Sequence, residues 1–115
     1  MDIKGIFLSI EIKTYDNKKH RQQVIDIWTS VFGYTDKRNN PALIIDKKLA
    51  VDDKLFFVAI ENGQVIGTIM AGYDGHRGRI YSMAVVPEKR NAKVGTQLLH
   101  YTENELKKLG CFKIN

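Results

Sequence analysis

The sequence predicts an α+β domain, a mixed and mostly antiparallel β-sheet flanked by helices in the order β-α-α-β-β-β-α-β. Three observations carry this reading. Asn62-Gly63 separates two apolar, β-rich runs, and both central residues of a type I′ hairpin turn need positive φ. Residues 18–32 repeat apolar side chains at helical spacing. A strand stopped by Pro87 leads through a basic turn into a second amphipathic helix, a crossover that brings the next strand in parallel to the last.

Residues 6–13 alternate as a strand does, with Leu8, Ile10 and Ile12 on one face. Asp16 and Asn17 can cap the helix over 18–32, in which Val24, Ile27, Trp28 and Val31 form the core face and after which Gly33 stops the chain. Asn40 and Pro41 open a short second helix that runs to about Leu49. Residues 55–60 are almost continuously apolar, as in a strand buried on both faces. The returning strand covers 64–73, a tight polar loop follows over 74–78, and the next strand runs over 79–86. The last helix spans 94–109, with Leu98, Leu99, Thr102, Leu106 and Leu109 as its buried stripe, Gly110 as its C′ residue and Lys107-Lys108 at its negative end. Residues 111–115 read as the start of another strand.

At 115 residues the chain makes one domain, residues 1–115, with a core of ordinary size. Its 43% apolar and 27% charged content is that of a globular protein, and no apolar run approaches the ~20 residues of a membrane span. Lys4 and the short apolar patch over 5–10 do not make a signal peptide. Cys111, the one cysteine, has no internal disulfide partner, so a reducing cytoplasm is the expected location. His20, His76 and His100 show no metal-ligand spacing.

The net charge of +5 and pI near 9.4 favour anionic partners. Lys89, Arg90 and Lys93 cluster with Arg77 and Arg79 just upstream, while acidic residues are scattered. Nucleic acid is disfavoured as that partner, because the chain has neither a recognition-helix signature nor an aromatic stacking platform on a strand.

Between Val86 and Val94 stands Pro-Glu-Lys-Arg-Asn-Ala-Lys, immediately before a helix. Helix N-termini present unpaired N–H groups and partial positive charge, and so collect phosphates. Gly95 in the first turn leaves space for a ligand or a neighbouring strand. The same residues also fit a solvated, charged β–α loop, and on their own they leave both readings open.

The run from Met83 to Gly95, with Leu98-Leu99 after it, resembles motif A of the GNAT superfamily of acyl-CoA-dependent N-acetyltransferases, of the form V-x-P-x-x-[QR]-x-x-G-x-[GA]-x-x-L-L. The stretch over 67–78 resembles the strand pair of a bacterial subgroup of that family, with a Tyr-Asp-Gly-His-Arg-Gly loop. The resemblance implies acetyl-CoA as co-substrate and transfer of its acetyl group to a primary amine of a small molecule or protein. It places pantetheine along the backbone of Met83, Ala84 and Val85. The pyrophosphate falls on the N–H groups of Arg90, Asn91, Ala92, Lys93, Val94, Gly95 and Thr96. Direct attack by a neutral amine is implied, with backbone N–H near Val85 polarising the carbonyl.

Asp74 and His76, on the loop between two strands, are the candidates for positioning the acceptor amine or acting as base; polar loop residues are also turn-formers, and Asp74-Gly75 is a turn dipeptide. Tyr73 and Tyr81 fit the acceptor cleft or plain packing. The family usually has glycine where Asn91 and Lys93 stand. Asparagine visits positive φ readily. Lys93 must either swing its side chain outward or give a direct phosphate contact. A complete domain of the family adds another helix and a final strand pair, which commonly carry a tyrosine acid and half the acceptor pocket; no residue here maps to that tyrosine. A shortened domain that binds CoA without catalysis, or that needs a partner chain, is therefore the alternative. The edge near Cys111 is expected to favour a homodimer.

Overall fold

The computed structural model describes residues 10–33 and 39–115. The beginning of the first expected strand, Leu8 included, lies outside the described residues. Strand β1 (Ile10–Thr14) leads into α1 (Asn17–Phe32) and α2 (Pro41–Val51). Strands β2 (Phe56–Glu61), β3 (Gln64–Tyr73) and β4 (Gly78–Val85) follow. A 3₁₀ helix (Pro87–Ala92) then connects to α3 (Val94–Lys108).

Local chemistry sets these boundaries as expected. The Asp16 carboxylate accepts from the N–H groups of Lys18 and Lys19, while the Asp16 N–H donates to His20 Nδ1 at 3.0 Å, so both sides of the α1 cap are satisfied. Asn40 caps α2 through the Ala42 N–H, with Pro41 at the first helical position. Asn62 (φ 52°) and Gly63 (φ 79°) make the hairpin between β2 and β3.

The sheet order is β1-β2-β3-β4, antiparallel throughout. Helices α1 and α2 cover one face, where Val24, Trp28 and Ile45 meet Phe56, Val58 and Met70. Helix α3 covers the other, where Leu98 and Leu106 meet Phe57, Ile69 and Ala71. Alternate β2 residues therefore serve different cores, which is why that strand reads as continuously apolar. Helix α3 crosses β3 at Gly67, where a Cβ would stand 3.0 Å from Leu98 Cδ1 and 3.1 Å from Val94 Cγ1. The missing side chain lets the helix sit close to the sheet.

Two expectations change. Leu109 is not part of the buried stripe: it is the C-cap of α3, 54% exposed, because the core-facing positions end at Leu106. Residues 111–115 form a single parallel bridge, Gly78 to Ile114, rather than an extended strand. The Gly78 N–H donates to the Lys113 carbonyl and the Asn115 N–H to the Gly78 carbonyl, so the parallel sense is as expected. Cys111 is fully buried beneath Gly78. Among the described residues, the outer edge of β4 from Arg79 to Val85 meets no strand, and no helix is long and apolar enough to cross a membrane.

Candidate active site

The ladder between β3 and β4 skips one position. Thr68 pairs with Ala84 and Met70 with Tyr81, so Ser82 and Met83 together oppose Ile69. This is a β-bulge, and Ser82 sits in it at φ 53°, a conformation serine rarely adopts. Buried chemistry holds it there. The Trp28 Nε1–H donates to Thr68 Oγ1 at 2.8 Å, and the Thr68 hydroxyl donates to the Ser82 carbonyl at 3.1 Å. Thr68 is fully buried, so water does not compete for these bonds. Beyond the bulge, Met83 is 43% exposed and Ala84 returns to the core.

A cleft of about 470 Å³ opens at Ser82. Its walls are Trp28, Phe32 and Gly33 from the end of α1 with Asn39, Pro41 and Ile44 from the start of α2. It is apolar on the helix side and reaches the bulged edge of β4.

The chain turns just past that edge. The Val86 N–H still bonds the Ile66 carbonyl, and Pro87 then starts the 3₁₀ helix, which contains Asn91 and Ala92. Lys93 is the N-cap of α3, in the left-handed region at φ 62°, ψ 22°, and no side chain caps the helix. This explains the family's glycine at that place, since the position needs positive φ and lysine adopts it at a cost of roughly 1–2 kcal/mol. Asn91, by contrast, is helical. Among the described residues, a Cβ at Gly95 would find Val85 Cγ2 at 3.9 Å as its nearest neighbour outside the helix backbone. Uncapped N–H groups, the positive end of the α3 dipole and the room at Gly95 fit a diphosphate.

Met83, Ala84 and Val85 thus lie beside the turn formed by residues 90–96, as the Val85–Gly95 approach shows. Other parts of the expected basic cluster behave differently. Lys89 pairs with Glu61, and the Arg90 Nε–H donates to the Val85 carbonyl at 3.3 Å. Lys93 is exposed. Arg77 and Arg79 stand at the other end of β4, on the order of 20 Å away at the usual strand rise. One sequence cluster becomes two sites because an extended strand separates them.

Asp74 and His76 also lie at that far end. Asp74 Oδ1 accepts from the N–H groups of Arg77 and His76, both at 2.8 Å, and these two bonds hold its carboxyl below the ordinary value. Tyr81 is partly exposed on β4, and its hydroxyl meets the Lys48 ammonium. Three contributors to the cleft escape the sequence reading: Trp28 as a donor, Thr68, and Ser82. Thr68 carries a signal, a hydroxyl in the otherwise apolar run over 65–71. The bulge at Ser82 carries none.

The chain matches the family model of the acetyltransferase (GNAT) family over residues 21–114. It belongs to that family. Three solved structures illustrate the fold. A putative acetyltransferase from Pyrococcus horikoshii superposes with a TM-score of 0.77 at 12% identity, over 94% of this chain and 37% of its own. A GCN5-related N-acetyltransferase from Kribbella flavida gives 0.74 at 16%, over 89% of this chain and 28% of its own. A predicted acetyltransferase with acetyl-CoA from Clostridium acetobutylicum gives 0.70 at 21%, over 92% of this chain and 79% of its own. The chain thus spans about a third of the length of the first two.

Proposed function

We propose that the chain is an N-acetyltransferase that takes its acetyl group from acetyl-CoA and delivers it to a primary amine. The observation that carries this reading is the adjacency of the uncapped α3 turn at Gly95 to a β4 edge that meets no strand among the described residues from Arg79 on and that a bulge exposes to an apolar cleft. Family membership supports it, as does the acetyl-CoA named with the Clostridium acetobutylicum neighbour.

Bound acetyl-CoA supplies a thioester carbonyl open to a neutral amine. The free N–H groups at the start of α3, residues 94–96, with the α3 dipole and the exposed Lys93 ammonium, are the groups that would receive the diphosphate; those within the preceding 3₁₀ helix are largely engaged with carbonyls three residues back. The outer edge of Met83, Ala84 and Val85 offers backbone groups to the pantetheine amides, and N–H near Val85 is placed to polarise the carbonyl. The cleft at Ser82 admits the acceptor. Its apolar walls, Trp28, Phe32 and Ile44, favour the neutral over the ammonium form of the amine. The N–C bond forms as the C–S bond breaks; the amine gives up a proton and the departing thiolate gains one. Asp74 and His76, a strand's length from the turn, fit contact with the distant part of an acceptor better than proton transfer.

Calorimetry with acetyl-CoA, followed by thiol release across a panel of amines, tests the proposal. Binding with amine-dependent thiol release is the expected result, and absence of binding at about millimolar acetyl-CoA would overturn it. Binding without thiol release for any amine would favour a CoA-binding, non-catalytic domain. A second reading, pairing through another copy, has in its favour the β4 edge that meets no strand among the described residues. Light scattering after size exclusion decides it: a monomer at high concentration excludes the dimer.

A further inference from the structure

A second groove, of about 450 Å³, lies next to the Ser82 cleft along α2 and β4. Ile44 and Ser82 line the first; Lys48 and Tyr81, one helical turn and one residue along, line the second. The floor is a buried cation. Lys48, with its side chain 5% exposed, occupies a core-facing position of α2 together with Ile45. Its ammonium contacts Asp53 Oδ2 at 2.8 Å, the Tyr81 hydroxyl at 3.1 Å and the Ala71 carbonyl. It also lies 5.5 Å from the centroid of the Tyr81 ring. A buried charge needs such a set of partners, and this one fixes Tyr81 and neutralises Asp53.

The rim is different. Arg77 and Arg79 line the same groove, and among the described residues neither forms an ion pair. Asp74 beside them already accepts two backbone N–H bonds. Three cations against two carboxylates leave the groove with one excess positive charge, carried by the two guanidinium groups beside Asp74, whose carboxylate Arg79 also helps to keep ionised. Val51, 64% exposed, and the Tyr81 ring supply apolar wall to the groove.

We propose that this groove is a second acceptor subsite, and that the amine acceptor carries an anionic group, carboxylate or phosphate, bound by Arg77 and Arg79. The amine end rests on the acetyltransferase reading given above. Ser82 and Arg79 are three residues apart on β4, so amine and anion are separated by roughly 10 Å.

The test is calorimetry on the full chain with three ligands. These are an ω-aminoalkanoate spanning about 10 Å, the phosphonate of equal length, and the methyl ester of the first. The anionic ligands are expected to bind about tenfold tighter than the ester, with the difference shrinking as salt is added. The phosphonate-to-carboxylate ratio then tells which anion is preferred. The double variant Arg77→Gln/Arg79→Gln, at exposed positions, is expected to erase the difference while leaving acetyl-CoA binding unchanged. Equal binding of acid and ester, failure of all three to bind, or a preference that survives the double variant would overturn the proposal. A preference lost in the double variant, without thiol release from acetyl-CoA, would uphold the groove and refute the acetyltransferase reading alone.

Discussion

The indole N–H of Trp28 donates to the hydroxyl of Thr68 at 2.8 Å, joining the C-terminal turns of α1 to the middle of β3 across 40 residues of sequence. Thr68 in turn bonds the Ser82 carbonyl, so one buried hydroxyl ties the helix wall of the cleft to the bulge at its floor. Stability and site shape are coupled at this point.

Replacing Thr68 by valine keeps the volume but leaves the buried Trp28 N–H without its acceptor. The expected loss is about 1–3 kcal/mol in urea unfolding. Thiol release should fall further than the unfolded fraction explains, because Ser82 is no longer held. Thr68→Ser, which keeps the hydroxyl, should recover most of both. Full activity and stability in Thr68→Val would refute the coupling.

Lys93 offers a separation of strain from charge. Lys93→Gly should raise stability by about 1 kcal/mol, since only the glycine is at ease at φ 62°. Lys93→Gln keeps the strain and removes the ammonium, so it should leave stability unchanged. Its acetyl-CoA affinity should drop a few-fold, with a flatter salt dependence. An unchanged salt dependence would mean that the side chain points away from the phosphates.

The two glycines Gly67 and Gly95 should respond in opposite ways to alanine. At Gly67 the new methyl meets Leu98, Val94 and the Ala84 carbonyl between 3.0 and 3.3 Å, so about 1–3 kcal/mol of stability should be lost. At Gly95 the nearest of the described residues outside the helix backbone stands 3.9 Å away, and a helical alanine should add about 0.5–1 kcal/mol. Gly95→Ala should nevertheless weaken acetyl-CoA in calorimetry, because the methyl fills the space meant for the ligand. Unweakened binding would move the phosphate site away from this turn.

His20 should make stability depend on pH. Its Nδ1 accepts the Asp16 N–H, which requires a neutral ring, and burial pushes its pKa below the ordinary 6.5. The Asp16 carboxylate partly opposes this, while Lys19 and Lys13 add to it. With a folded pKa below the unfolded one, the contribution is complete above pH 6.5 and falls away as the pH drops from there toward the folded value. Urea midpoints should therefore decline from about pH 7.5 to about pH 5.5. His20→Asn, which keeps an acceptor near the cap, should flatten that slope. An equal slope in both proteins would place the pH dependence elsewhere.

Much of this molecule is legible one segment at a time. Asp16 and Asn40 as caps, Asn62-Gly63 as the hairpin turn, the apolar stripe of α1 and the Pro87-to-Gly95 turn each rest on interactions within a few residues. Local sequence determines them for that reason. The resemblance over the same turn points to the GNAT family, and the family match over residues 21–114 bears out that much.

Contacts between distant segments are a different matter. The bulge at Ser82 exists because Trp28 and Thr68 meet it from two other elements, and no feature of Ser82 itself announces it. Lys48 stands on the core-facing side of α2, and its partners Asp53, Ala71 and Tyr81 come from three other segments. The single basic cluster over 77–93 divides because β4 is extended, so that neighbours in sequence become opposite ends of a strand. Short-range hydrogen bonding and side-chain periodicity determined the elements. Burial of polar groups against partners far along the chain decided where the site is and what shape it has.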